Sequence, residues 1–294
     1  MSLRKTVAVA QVGGILFNPA ATLVKVEQYV REAAAAGAAL VVFPEATLGG
    51  YPKGMDFGAV VGRRTPEGRA DFGRYWDGAI NVPGPETFQL QVLADELSIS
   101  ITIGVIERVG NTLMCTALVF RPEAVTPHIH RKLMPTACER LIWGFGDGST
   151  MQAVETPAGR VGCVICWENY MPALRLHMYN QGVQLWCAPT VDDREMWRTS
   201  MRHIAYEGRC FVLSACQFTD AIAGGSVIVS PFGDILAGPL LGGEGLLVSE
   251  IDLAAIPQGK FDLDVTGHYS RPDIFSLEVD TKPQTFIREK DSAK

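Results

Sequence analysis

Residues 6–12 (TVAVAQV) are mostly apolar over a length that suits a strand, and the segment ends at the paired glycines Gly13 and Gly14. Asn18-Pro19 then supplies a helix N-cap with proline at the first helical position. The apolar spacing beyond it predicts an amphipathic helix over 20–36, closed by Gly37. A second apolar strand is predicted at 39–43 and is stopped by Pro44, so the chain opens as a strand–helix–strand unit. Residues 54–83, rich in glycine and charge, carry no period and are expected to form a long irregular surface excursion. A helix over 85–97 leads into a strand at 98–109, Gly110-Asn111 reads as a hairpin turn, and 112–120 returns antiparallel. A further strand is predicted at 127–132.

The second half repeats this logic. A strand at 160–165 precedes a helix containing Pro172, a strand at 184–188 and a helix at 193–208. Strands follow at 210–215, 226–230 and 245–253, the first two of these leading to a Pro-Phe-Gly-Asp turn. From 255 onward the chain is polar, proline-containing and without clear periodicity. Helices alternating with strands, with several hairpins among them, predict one mixed-sheet α/β domain whose helices cover the outer faces.

The 294 residues are 47% hydrophobic and 20% charged, enough apolar material for a large core. The net charge of −6 argues against a nucleic-acid footprint. The N-terminal apolar run is too short for a secretion signal, and no stretch approaches the roughly 20 apolar residues of a membrane span. Seven cysteines, an odd number set mostly inside apolar runs, read as reduced buried thiols rather than a disulfide framework. A cytoplasmic protein that binds neither nucleic acid nor membrane is expected.

Four polar residues stand just past the ends of apolar strands: Glu45, Lys132, Cys166 and Thr190. Sites in open α/β folds gather outside the carboxyl ends of strands. Cys166 begins the turn CWENYMP, where a following helix N-terminus would lower the thiol pKa; the alternative is a buried structural cysteine. Cys163 and Cys166 spell C-x-x-C, but residues three apart on a strand face opposite ways, which is poor geometry for a shared metal or a disulfide. Glu45, following Pro44, is a candidate general base or a loop-anchoring carboxylate. Lys132 is a candidate cation for developing negative charge, or a solvated strand-end lysine. Glu139 and Arg140 sit in a loop dense in aromatics and glycine. The five histidines show no carboxylate at a recognisable spacing, so a cysteine–histidine dyad has no support and a cysteine nucleophile would need another base.

Read together, FPEA (Glu45), HRKLMPT (Lys132) and CWENYMP (Cys166) resemble the Glu–Lys–Cys triad of the nitrilase, or carbon–nitrogen hydrolase, superfamily. The segments RHIAYEGRCFVLSA and GGSVIVSPFGD extend the likeness across nearly the whole chain. Trp167-Glu168-Asn169 after the cysteine, and PTACERLIWGFGDGS, are similar to the true nitrilase branch. The resemblance implies a four-layer α-β-β-α sandwich, with 1–280 as a single hydrolase domain and 281–294 as a C-terminal tail. It implies Glu45, Lys132 and Cys166 as catalytic residues with Glu139 as the additional glutamate, and no cofactor or metal. It also implies a small nitrile as the substrate and a homodimer or higher homo-oligomer. Tyr51, Trp143, Trp167 and Thr190 are the candidates for lining the substrate pocket, which points to an apolar or aromatic nitrile. The connection between Phe218 and Gly225 and the tail beyond Phe275 are shorter than the family's, which puts filament assembly in doubt. An amidase or carbamoylase of the same superfamily, a non-catalytic binding protein and a redox protein built on Cys163 and Cys166 are the competing readings.

Overall fold

Alternation along the strands decides the layers. In the computed structural model, which describes residues 3–284, β1 (Arg4–Gln11) sends Val7 and Val9 to one face and Ala8 and Ala10 to the other, all four buried. Helix α1 (Pro19–Ala35) begins at Pro19, with the Asn18 side chain accepting the Ala21 N–H, and lays Leu23, Val26 and Val30 on the Ala8 side. β2 (Leu40–Val42) again splits its residues, Leu40 and Val42 joining Val7 and Val9. Strands buried on both faces read as unbroken apolar runs, which is why neither shows polar alternation.

The expected irregular excursion contains a helix, α2 (Pro66–Gly78). Thr65 caps it by accepting the Gly68 N–H, and Pro66 occupies its first turn. Only Gly68, Tyr75 and Gly78 of α2 are buried, so its sequence carries almost no apolar stripe. Helix α3 (Pro85–Leu97) packs Leu90 and Leu93 beside α1. β3 (Ser100–Val109) and β4 (Thr112–Phe120) pair antiparallel through the predicted Gly110-Asn111 turn, and β5 (His128–Arg131) extends the sheet.

In the second half β6 (Val154–Thr156) is a short edge strand beside β7 (Gly159–Cys163). Helix α4 (Pro172–Asn180), β8 (Leu185–Thr190), α5 (Glu195–Gly208) and β9 (Phe211–Cys216) follow. The short 218–225 connection is a tight hairpin, β10 (Phe218–Thr219) turning directly into β11 (Ile222–Val229). Besides α2 and the short strands β6 and β10, two further elements are absent from the sequence-based expectation. β12 (Ile235–Leu241) is a largely exposed edge strand, and α6 (Ala255–Asp262) follows β13 (Gly245–Asp252). The expected C-terminal tail lies outside the described residues from 285 on.

Among the described residues the strands form two sheets, of six and seven strands. The first runs β13-β1-β2-β3-β4-β5; the second runs β10-β11-β9-β8-β7-β6, with β12 also on β11. Their facing sides share one apolar core, where Val7, Val42 and Ala117 meet Val161, Leu185 and Leu213. Helices α1 and α3 cover the outer face of the first sheet, and α4 and α5 that of the second, through Trp186, Trp197 and Ile204. The order is therefore helix, sheet, sheet, helix. Parallel strands β1-β2-β3 and β7-β8-β9 lie at the centre of each sheet. The carboxyl ends of β2, β7 and β8 are where chemistry can gather.

Candidate active site

Glu45 leaves β2 on the peptide after Pro44, and the next residue, Ala46, is left-handed at φ 49°. The loop is pressed against β3, where a Cβ on Gly104 would stand 2.5 Å from the Pro44 carbonyl oxygen and 2.6 Å from Glu45 Cα. Only glycine allows that approach. Gly104→Ala is expected to displace Glu45 and lower kcat by about 10²-fold while the protein stays folded, since a misplacement of about 1 Å costs that much. Steady-state kinetics beside a melting curve tests this. From the other sheet, Gln217 Nε2 donates to the Glu45 carbonyl oxygen at 2.6 Å and holds the loop in place.

The Glu45 side chain is fully buried. Its Oε1 accepts from Lys132 Nζ at 2.6 Å, while Oε2 has no hydrogen-bond partner. Lys132, just beyond β5 and also fully buried, donates to Glu139 Oε2 at 2.8 Å and lies 5.5 Å from the Trp143 ring centroid. Glu139, on the single turn Ala137–Leu141, is fixed further: Oε2 accepts the Thr136 N–H at 2.6 Å and Oε1 accepts the Tyr51 hydroxyl at 2.7 Å. Burial raises the Glu45 pKa above the usual carboxylate range, against the opposing pull of Lys132. The surrounding negative groups, Glu45 foremost, overcome burial and hold the Lys132 ammonium well above its ordinary value.

Cys166 opens the turn Cys166–Tyr170 with a left-handed backbone, φ 48°. A non-glycine residue in that region costs about 1–3 kcal/mol and persists only where its surroundings enforce it. Asn169 does the enforcing: its amide donates to the Val164 carbonyl at 2.9 Å and the Cys166 carbonyl at 2.8 Å, and its oxygen accepts from Trp186 Nε1. The Cys166 side chain is 3% exposed, lies close enough to the Glu45 carboxylate for the two to interact electrostatically, and accepts from Thr190 Oγ1 at 3.2 Å.

The expectation of a thiol acidified by a helix N-terminus is corrected here. Helix α4 does not start until Pro172, and burial together with Glu45 pushes the Cys166 thiol well above its ordinary pKa, with Lys132 opposing. The expectation that the C-x-x-C pair faces opposite ways does not hold: β7 ends at Cys163, and both Cys163 and Cys166 join the core between the sheets, Cys166 also lining a cavity. All seven cysteines are unpaired; six are buried, and Cys138 is exposed.

That cavity has a volume of about 190 Å3, with Tyr51, Glu139, Cys166, Trp167, Asp192 and Arg194 among its walls. A neighbouring lobe of about 150 Å3 shares Tyr51, Lys53 and Glu139 and reaches Cys138 and Trp143. Four candidate residues, Glu45, Lys132, Glu139 and Cys166, thus come together. Of the four pocket candidates, Tyr51 and Trp167 line the main cavity and Trp143 lines the side lobe, edge-on to Tyr51. Thr190 lies behind the thiol. Trp167 is held by Asp192, which accepts its Nε1 hydrogen at 2.8 Å, and by the Arg194 guanidinium over its ring.

One expectation about the histidines also changes. His130 Nε2 sits 3.0 Å from Glu168 Oε2, both side chains buried, although 38 residues separate them in sequence. Sequence reading also missed Gln217, Asn169 and Gly104; only the Glu168-Asn169 pair directly after the cysteine offered a local signal.

With the geometry in hand, residues 6–261 match the carbon-nitrogen hydrolase family, and the chain belongs to it. The aliphatic nitrilase of Sinorhizobium fredii (strain HH103) is 52% identical, covering 95% of this chain and 97% of its own length. The bifunctional nitrilase/nitrile hydratase NIT4A of Lupinus angustifolius is 50% identical, covering 95% of this chain and 87% of its own. Relatives of this closeness set the chain in the nitrilase branch of the family. Among solved structures, the C. elegans NitFhit protein aligns with a TM-score of 0.77 at 19% identity, over 97% of this chain and 69% of that one. Saccharomyces cerevisiae Nit3 gives 0.73 at 21%, over 90% and 96%. At those identities the likeness speaks for the fold.

Proposed function

We propose that this protein hydrolyses a compact organic nitrile to its carboxylic acid and ammonia, with Cys166 as nucleophile, Glu45 as general base and acid, and Lys132 as the electrostatic partner. The observation that carries the reading is the meeting of Glu45, Lys132 and Cys166, three strand-end residues from two sheets, in one buried place beside a cavity. The names of the two close relatives, an aliphatic nitrilase and a nitrilase/nitrile hydratase, support it.

The Cys166 thiol gives its proton to Glu45 as sulfur bonds to the nitrile carbon. The nitrile nitrogen, gaining charge, takes a proton back from Glu45, and a thioimidate results. Glu45 then removes a proton from water as oxygen adds to the same carbon. The tetrahedral intermediate loses nitrogen as ammonia and leaves a thioester, and a second water releases the acid and restores the thiol. Two waters are consumed and one ammonia is made. Lys132, fixed by two carboxylates, offers positive charge toward the reacting nitrogen and oxygen, a term that is often the largest in such chemistry. Glu139 orients Lys132 from the side away from Glu45.

The main cavity, at about 190 Å3, falls below the roughly 300–1,000 Å3 of sites for drug-sized ligands. Its walls mix the aromatic Tyr51 and Trp167 with the charged Lys53, Asp192 and Arg194. Short aliphatic nitriles are the substrates the small volume favours. Incubation with aliphatic nitriles, arylacetonitriles and the matching amides, with ammonia, acid and amide recorded, tests the assignment. Ammonia and acid from short nitriles are expected; turnover of amides alone would move the chain to the amidase reading.

A cytoplasmic setting fits the unpaired, mostly buried cysteines, and among the described residues no helix is long and apolar enough to cross a membrane. The same reading carries a homodimer or larger homo-oligomer as the assembly, which light scattering measures.

A further inference from the structure

The proposed cation and nucleophile are carried by different sheets, Lys132 beyond β5 of the first and Cys166 beyond β7 of the second. Nothing in either strand sets the distance between them. One buried side chain does touch both. Glu168 Oε1 accepts the backbone N–H of Leu133, the residue after Lys132, at 2.5 Å. Glu168 Oε2 accepts the backbone N–H of Ile165, the residue before Cys166, at 2.8 Å. The carboxylate therefore spans the seam between the sheets and grips the chain next to each reacting group.

We infer that Glu168 is a positioning residue that sets the Lys132–Cys166 geometry, and that through it Glu168 governs whether the tetrahedral intermediate expels ammonia or thiolate. This rests on the nitrilase reading. The carboxylate's third contact, His130 Nε2 at 3.0 Å, supplies the compensating charge that a fully buried anion requires. Glu168 raises the His130 pKa against burial, and His130 with the two backbone N–H groups holds Glu168 below the usual carboxylate range. Both shifts favour the ion pair. His130 lies on β5, two residues before Lys132, so the first sheet is gripped at both His130 and Leu133.

The partition follows from where a proton can be delivered. When the intermediate collapses, either the C–N bond breaks, with nitrogen leaving as ammonia and a thioester remaining, or the C–S bond breaks, releasing the amide and the thiol. Loss of ammonia requires nitrogen to be protonated, a cation that Lys132 disfavours, whereas loss of sulfur sheds a thiolate that Lys132 stabilises. A cation that drifts from the sulfur-bound carbon therefore weakens thiolate expulsion and tips the collapse toward loss of ammonia. The product ratio does not depend on how much enzyme is folded, so it separates positioning from mere stability.

Glu168→Gln keeps the shape but turns one acceptor oxygen into a donor, so one of the two backbone N–H groups must be abandoned. Glu168→Asp keeps the charge and, shorter by a methylene, cannot reach both. For either variant, kcat on a short nitrile is expected to fall about 10²-fold with KM within about threefold, and the amide share of product is expected to fall severalfold. The pH midpoint for alkylation of Cys166 by iodoacetamide, read by mass on the Cys166 peptide, is expected to rise because Lys132 no longer favours the thiolate as strongly. Unchanged product ratio and alkylation midpoint, in whichever variant folds, would overturn the inference even if the melting temperature drops. If the wild type makes no acid from any nitrile, the nitrilase reading fails on that result, and the alkylation midpoint alone decides the positioning role.

Discussion

Cys166→Ala is expected to release no measurable ammonia from any nitrile, at least about 10⁴-fold below the wild type, while its melting temperature stays within a few degrees. The first half follows from covalent catalysis: without sulfur there is no thioimidate, and the remaining groups have no nucleophile to assist. The second half follows from local packing. Cys166 is small, its left-handed backbone is held by Asn169 rather than by its own side chain, and removing one sulfur leaves a gap open to the adjoining cavity. Ammonia assays on the purified variant, with circular dichroism melting, read both at once. Wild-type-like turnover would remove Cys166 from the mechanism and the nitrilase assignment with it.

Glu45→Gln has the second largest expected effect, a loss of about 10²–10⁴-fold in kcat, the usual worth of a positioned acid–base group. The amide still fits the fully buried space and can still accept from Lys132, so the loss is one of proton transfer. The pH profile gives an independent signature. Burial raises the Glu45 pKa, so the base is protonated, and kcat/KM falls, as pH drops through a value above the usual carboxylate range. Lys132 is held well above its ordinary value, so its charge persists on the alkaline side and sets no limb there below its own raised pKa. The residual activity of Glu45→Gln should lack the acid limb. A wild-type acid limb at an ordinary carboxylate pKa, or its survival in Glu45→Gln, would assign the proton transfers to another group.

How far the fold could be read from the chain depended on whether burial left a mark on it. β1, β2, β8 and β9 are buried on both faces and stand out as apolar runs. Helix α2 escaped because only three of its residues are buried, although Thr65-Pro66-Glu67 carried the N-cap, proline and first-turn acid of a helix start. β12 escaped because it is an exposed edge strand containing Pro239, and α6 because Pro257 and Gly259 interrupt it. The candidate site was legible in the same uneven way. Glu45, Lys132 and Cys166 follow strand ends, which made them candidates, and the resemblance of their motifs to the Glu–Lys–Cys triad singled them out. Glu168 could not, since its contacts at Leu133 and His130 lie 35 and 38 residues away and exist only once the sheets have stacked. The histidines were set aside for the same reason: spacing along the chain says nothing about a pair made across a seam.

A thiol that rests protonated and 3% exposed is also a thiol that is hard to spoil. Peroxide and soft electrophiles attack thiolates that they can reach, and in this protein the one exposed cysteine is Cys138, on the turn beside Glu139. Shelf ageing in air should therefore mark Cys138 first and leave Cys166 in its reduced form. Burial thus shields the proposed nucleophile from oxidants that reach the surface.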